Sequence, residues 1–173
     1  MERLLWVFWI YSFLGYGLEK LFAKLSRSEQ QGRKCFLLLP LCPVYGLGML
    51  AVLALPTEWK SGMSLVIWGA LASTAVEYAV HWLYDAFLRV RFWDYSHVPG
   101  NLHGRVCLPF SLVWGVLTAA AVQRVQPGVE LLAGRVIPQV TALCLAVFLM
   151  DALFSAKCLL KTGDPEALRA DRR

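Results

Sequence analysis

Apolar residues fall in five long runs separated by short polar or basic stretches. A helix that crosses a bilayer needs about 20 residues, because each adds about 1.5 Å across a hydrocarbon core about 30 Å thick. The pattern predicts membrane-spanning helices over Leu4 to Ala23, Phe36 to Leu55, Met63 to Phe87, Val106 to Val122 and Val136 to Ala156. The third is the longest and ends amphipathic, so its last turn is expected to leave the membrane. The fourth is the shortest, and Pro109 is placed to cap or kink its start. The fold class expected is therefore all-α, a polytopic bundle of five transmembrane helices.

Composition agrees with this pattern. Of 173 residues 58% are apolar and 17% charged, whereas soluble domains carry about a quarter charged residues. Apolar excess spread along the whole chain means bilayer, not a larger core. One transmembrane domain over 1–161 and a short polar tail over 162–173 are expected. Met1, Glu2 and Arg3 run straight into the first apolar stretch, and Glu19 and Lys20 follow where a signal peptide would show a small-residue cleavage site. The first helix reads as retained. The five cysteines, Cys35, Cys42, Cys107, Cys144 and Cys158, show no CxxC spacing and read as small packed hydrophobes.

The formal charge is +5, but the basic residues sit between apolar runs, which speaks for topology and anionic lipid headgroups and against nucleic acid. Thirteen of the 17 Lys and Arg lie on one side: Lys20, Lys24, Arg27, Arg33 and Lys34; Arg89, Arg91 and Arg105; and Lys157, Lys161, Arg169, Arg172 and Arg173. Arg3, Lys60, Arg124 and Arg135 lie on the other. Basic loops stay cytoplasmic, so the expected frame is a multi-pass bacterial cell-membrane protein with its N-terminus outside and its C-terminus in the cytoplasm. Trp6, Trp9, Trp59, Trp82 and Trp93 fall near predicted helix ends, at headgroup depth.

Candidate chemistry lies in polar groups that do not belong in a bilayer, where each ionisable group costs roughly 2.5–3.5 kcal/mol at the helix centre. Ser73, Glu77, His81 and Asp85 recur every fourth residue and share one helix face. Glu19 lies late in the first helix and Asp151 late in the fifth. With Arg105, they predict either a polar cavity open to the cytoplasm around Glu19 and Glu77, or interhelical pairs that only fix packing. The second helix carries Pro40, Pro43, Gly46 and Gly48 around Tyr45, a composition that frees backbone carbonyls and often lines transport sites. Gly69 with Ser73, and Ser111 with Gly115, have the spacing of close helix contacts. Between Arg89 and Arg105 the connection mixes Phe92, Trp93, Asp94 and Tyr95 with Asn101 and His103, which suits an interfacial anchor, a lid or a docking surface. His81, His97 and His103 lack metal-ligand spacing, and neither a GxSxG elbow nor a GxxxxGK[ST] phosphate loop is present. No metal or cofactor is expected.

Four blocks occur in order: Tyr11-Ser12-Phe13-Leu14-Gly15 with Glu19; Cys42-Pro43-Val44-Tyr45-Gly46; Trp93-Asp94-Tyr95-Ser96; and Asn101 with Gly104-Arg105-Val106-Cys107. From about Phe8 to Gly115 the chain resembles a family of small bacterial membrane proteins described as ABC-transporter permeases, the CmpB type. It departs from the family before Pro40, where two glycines are missing, at His103, where the family usually has asparagine, and at Asp85, where it usually has glutamate. The resemblance implies a permease subunit, a possible homo-oligomer and an ATP-binding subunit in trans. It also marks Glu19, Tyr45, Glu77, Trp93, Asp94, Asn101 and Arg105; the helical stripe adds His81 as a ligand-binding candidate. Two other functions stay open. One is a membrane-embedded enzyme or binding protein for a lipid headgroup or polyprenyl phosphate, with Arg105, Arg91 and His103 on the phosphate. The other is an accessory scaffold.

Overall fold

The computed structural model describes residues 1–25 and 35–168. Arg27, Arg33, Lys34, Arg169, Arg172 and Arg173 therefore lie outside the described residues. Among the described residues helix predominates, with one short hairpin and irregular connections, as the apolar pattern requires. Helix α1 is Glu2–Leu25, with Glu2 in its first turn and Lys24 in its last, the signs the helix dipole favours. It is followed by α2, Pro43–Leu53, α3, Gly62–Leu88, α4, Leu108–Ala133, and α5, Pro138–Thr162. Between α3 and α4 lies an antiparallel hairpin of β1, Asn101–Leu102, and β2, Val106–Cys107.

The last three helices are long and apolar enough to cross a membrane. Helix α1 has the length, but its tyrosines and tryptophans and the Glu19–Lys20 pair lower its mean hydropathy, and it is not among them. The second expected span needs correction. Only Pro43–Leu53 is helical, 11 residues, about 16 Å at about 1.5 Å per residue and half a bilayer core. Two prolines explain the break. Each biases the residue before it, Leu39 and Cys42, towards extended backbone, and Pro43 suits the first position of a helix, where its missing N–H leaves nothing unpaired. Cys42 is extended, with φ −116° and ψ 92°.

The segment before α2 must place its backbone N–H groups without a helix. Leu38 and Leu39 donate theirs to the two carboxylate oxygens of Asp151 on α5, at 3.1 and 2.8 Å. Cys42 donates to the Ser12 carbonyl of α1 at 2.8 Å, and the Ser155 hydroxyl also donates to Asp151, at 3.2 Å. Asp151 is thus a clamp on the broken element. Gly46 lets α2 lie directly on α1, since a Cβ there would run into the Phe8 carbonyl and the Ser12 hydroxyl.

Helix α3 closely matches its expected bounds and ends in a π-helical turn, Tyr84–Leu88, stopped by Arg89 in the left-handed region at φ 56°. Helix α4 runs eleven residues beyond the expected end at Val122. A π-helical turn at Ala121–Val125 absorbs Pro127, so the chain stays helical through it. Its expected start also shifts, because Val106 and Cys107 belong to β2. Gly115 of α4 sits against the Val66 carbonyl and Gly69 of α3 against Thr118, so these small residues set the α3–α4 approach. Helix α5 extends six residues past Ala156 and stops at Gly163, φ 64°.

The polar tail expected from residue 162 also needs correction. A 3₁₀ turn, Pro165–Leu168, returns to the bundle and leaves Leu168 only 2% exposed. Leu168 joins Cys42, Val80, Phe92, Trp93 and Leu159 in a core at that end, while Val7, Tyr11, Met49 and Val129 form a second core at the other. All five cysteines are free thiols. Helix α5 turns Leu143, Leu149, Leu153 and Phe154 outward, a surface that requires hydrocarbon around it.

Replacing Asp151 by Asn leaves one acceptor where two N–H groups converge and turns an amide donor towards them. Asp151→Asn is expected to destabilise the solubilised protein by about 1.5–3 kcal/mol, the range for a hydrogen bond to a charged group. Ser155→Ala is expected to cost less. Thermal unfolding in mild detergent measures both; an unchanged melting temperature in Asp151→Asn would remove the clamp from the account.

Candidate functional site

Glu19, Tyr45, Glu77 and Trp93 line one cavity of about 210 Å³, together with Tyr95 and Trp114. Each arrives from a different part of the fold: Glu19 from the last third of α1, Tyr45 from the first turn of α2, Glu77 from the polar stripe of α3, Trp114 from the second turn of α4. Trp93 and Tyr95 come from the connection between α3 and α4. The break before Pro43 is what brings Tyr45 to this level. Gly15 makes room for it, since a Cβ at Gly15 would overlap the Tyr45 ring.

Each carboxylate accepts from at least one neutral donor. The Tyr45 hydroxyl donates to Glu19 at 3.0 Å. Glu77, buried at 5% exposure, accepts from the Tyr95 hydroxyl at 3.3 Å and from the Trp114 indole N–H at 2.9 Å. Burial, followed by the charges of Glu77 and Glu19, pushes the Tyr95 phenol well above its usual range, so it remains a donor at every physiological pH. The Tyr45 and Trp114 rings meet at 4.9 Å, and Tyr95 stacks on Phe110 at 5.0 Å. The cavity thus brings two carboxylates together with aromatic faces.

The other expected residues stand outside this lining. His81 is buried and bonds through Nε2 to the Trp93 carbonyl at 3.0 Å. That carbonyl accepts only, so Nε2 carries the proton and His81 positions Trp93. Asp94 and Asn101 shape the loop. Asp94 accepts from the backbone N–H of Ser96 at 2.8 Å and from its hydroxyl, and these bonds hold its carboxyl below the usual carboxylate range. Asn101 donates to the Val98 and Ser96 carbonyls and accepts from the Gly104 N–H. His103 and Gly104 have φ of 56° and 68°, the left-handed geometry that an Asn-Gly turn adopts most readily and that histidine tolerates better than most residues. The departure at His103 therefore keeps the turn.

Arg105 does not reach over the carboxylates. Its guanidinium donates to the Tyr78 hydroxyl at 2.9 Å and to Asp85 at 3.3 Å, and these contacts raise its pKa further. Arg91 also pairs with Asp85, at 3.2 Å. The two arginines that a phosphate would need are thus engaged by one aspartate, which weighs against the phosphate reading. Among the described residues no three His, Cys, Asp or Glu side chains are grouped as a metal site would require.

Three residues of this site carry no mark in the sequence reading: Trp114, Tyr78 and Phe110. Trp114 had a signal, because an indole in the interior of an apolar helix needs an acceptor for its N–H.

Long apolar helices and a short broken one are those of a helical membrane protein. The chain belongs to the family described as "Putative ABC-transporter type IV", whose profile matches residues 6–156. The match extends the resemblance read from the motifs through most of α5. No curated protein and no solved structure matches the chain.

Trp114→Phe keeps the ring against Tyr45 and removes only the N–H to Glu77. It is expected to cost about 1.5–3 kcal/mol of stability in the Glu77 background and distinctly less when Glu77 is already Gln. A double-mutant cycle by thermal unfolding tests this, and additive losses would mean that the 2.9 Å bond is energetically silent.

Proposed function

We propose that the protein is the membrane-embedded subunit of a transporter, crossing the bilayer five times, with the cavity of Glu19 and Glu77 in the cytoplasmic half as its ligand site. The observation that carries the reading is a helix beginning inside the bundle, at Pro43, beside two carboxylates. Discontinuous helices that start at membrane depth and border a polar cavity are how secondary transporters build midplane sites. A merely structural pair of carboxylates would not need an aromatic cavity around it.

The path of residues 35–53 supports a fifth crossing. Phe36 stacks on Tyr84 at the far end of α3, Cys42 bonds to Ser12 midway along α1, and Met49 packs with Val7 near the start of α1. This stretch therefore travels from one end of the bundle to the other, part extended and part helical. Arg89, Arg91, Arg105, Lys157 and Lys161 cluster at the end where α1 finishes, which supports an outside N-terminus and a cytoplasmic C-terminus. Family membership supports an ATP-binding subunit in trans, docked on the loop from Arg89 to Arg105. Five helices are few for a complete path, so a homo-oligomer completes it.

Affinity purification from the native host followed by native mass spectrometry tests the assembly. A stoichiometric ATP-binding subunit that crosslinks to the Arg89–Arg105 loop is the expected result. Recovery of the protein without any such subunit, from membranes where it is functional, would sink the transporter reading in this form. For orientation, an impermeant maleimide is expected to label Ser61→Cys in intact cells and Ser96→Cys only after permeabilisation; the reverse pattern would invert the topology.

A further inference from the structure

Beside the carboxylate cavity lies a larger space of about 450 Å³ between α1 and α4, with Tyr45 and Met49 of α2 completing its lining. The two helices meet at both ends of it. Near the start of α1, Val7 packs with Val129 and Arg3 pairs with Glu130; near its end the Phe22 and Phe110 rings meet at 6.1 Å. Between these contacts Leu14, Leu21 and Val125, each more than a third exposed, border the space on the surface that meets hydrocarbon. The opening is a side window in the bundle, and its size falls within the range of about 300–1,000 Å³ common to ligand sites.

The polar side chains of the window divide in two. Tyr11 donates to the Ala121 carbonyl, Thr118 to the Trp114 and Gly115 carbonyls, Tyr45 to Glu19 and Trp114 to Glu77, so each is used within the protein. Arg124 is different. Among the described residues no hydrogen bond or ion pair engages its guanidinium. It lies in the π-helical turn of α4, nine residues before Ala133 and so about 14 Å from that end of the helix. Helical side chains leave the backbone tilted towards the helix N-terminus, which leans the Arg124 stem along the window towards Trp114. An arginine beside hydrocarbon at that depth requires an anionic partner, and the wall next to it requires hydrocarbon.

Both requirements are met by one kind of molecule. From Arg124 to Trp114 the window follows ten residues of helix, about 15 Å at about 1.5 Å per residue. That is half of a bilayer core about 30 Å thick, the depth of one leaflet's chains. A guanidinium fork also matches the oxygens of a phosphate, which it binds through two parallel hydrogen bonds.

We infer that the window holds one anionic phospholipid, its phosphate on Arg124 and one acyl chain lying along the window towards Trp114. The site is separate from the carboxylate cavity and does not rest on the transporter reading; only the leaflet that supplies the lipid, the outer one, follows from the orientation proposed above. Tyr45 and Trp114 line both spaces, so a chain in the window backs two rings that wall the cavity.

Two glycines provide matched variants. Gly17 lines the window, Gly128 does not, and a Cβ built on either meets nothing within 4 Å. Gly17→Phe therefore fills the place of the chain, and Gly128→Phe adds the same ring elsewhere on α4.

The experiment uses the full chain in a non-ionic detergent, with phosphatidylglycerol that carries a photoactivatable diazirine in its chain. Crosslinked peptides are mapped by mass spectrometry, and label is expected within residues 14–21 and 114–125. Unlabelled phosphatidylglycerol is expected to displace it at a concentration at least about tenfold below that needed for phosphatidylcholine with the same chains. Arg124→Gln is expected to erase that preference while labelling persists. Gly17→Phe is expected to abolish labelling at these residues and Gly128→Phe to preserve it, with folding followed by helical circular dichroism. Equal displacement by the two lipids would overturn the anionic headgroup. A preference that survives Arg124→Gln would give the phosphate to another cation and overturn the role of Arg124. Labelling unchanged in Gly17→Phe would overturn the position of the chain. A dimer that Gly17→Phe dissolves would give the window to a second copy of the protein and overturn the lipid.

Discussion

Everything distinctive in this fold follows from backbone N–H groups that Pro40 and Pro43 prevent from entering a helix. Inside a bilayer such groups have no water to turn to. Asp151 takes two of them with one carboxylate, and the Ser12 carbonyl takes a third. Because these partners sit on α5 and α1, the break also ties the last helix to the first. The break delivers Tyr45, two residues into α2, to the level of Glu19, where a continuous helix over 36–55 would follow another path. A defect in one helix is thus the positional basis of the cavity.

Magnitudes explain how the bundle tolerates Glu77. A carboxylate at membrane depth costs roughly 2.5–3.5 kcal/mol, and each hydrogen bond to a charged group returns about 1.5–3 kcal/mol. Two donors, Tyr95 and Trp114, therefore go a long way towards offsetting the cost. Asp85, eight residues further along α3, is instead held by Arg91 and Arg105. On the α3 stripe the outer member, Asp85, is paired with arginines, and Glu77 accepts from Tyr95 and Trp114.

Hydropathy and spacing were enough to find the long helices and the polar face of α3, because those features depend on period and local composition; Glu19, Glu77 and Tyr45, singled out as candidates, line one cavity. What they could not find depends on three-dimensional partners. Counting apolar residues cannot reveal that only Pro43–Leu53 of the run from Phe36 to Leu55 is helical, since Leu38 and Leu39 are as apolar in a strap as in a helix. Pro127 looks like a stop and is instead absorbed by a π-turn. Leu168 reads as part of a polar tail because its neighbours are charged, yet a single turn returns it to the core. Arg105 reads as a counter-charge for Glu77, while geometry gives it to Asp85, 20 residues earlier in the chain. The family motifs marked Asp94 and Asn101 together with the cavity residues, though these two act on the loop's own backbone.

That loop decides between a lid and a platform. A lid must exchange its contacts on closing, and the stretch from Trp93 to Arg105 makes most of its contacts with itself. The Trp93 indole donates to the Arg105 carbonyl at 2.9 Å, Tyr95 N–H donates to the Gly104 carbonyl at 2.8 Å, and Asn101 closes the intervening turn. Gly104 permits this closeness, because a Cβ there would press on Asp94 and Ser96. Outward, Arg105 fastens the loop to Tyr78 and Asp85 on α3, and Trp93 packs its ring edge on His81 at 5.2 Å. Moving it as a unit would separate an ion pair, a charged hydrogen bond and an aromatic contact at once. Its two walls in the cavity, Trp93 and Tyr95, are therefore preorganised. Such a loop is better suited to fix the ligand site on one face and offer a constant surface to a partner on the other than to open and close over the cavity.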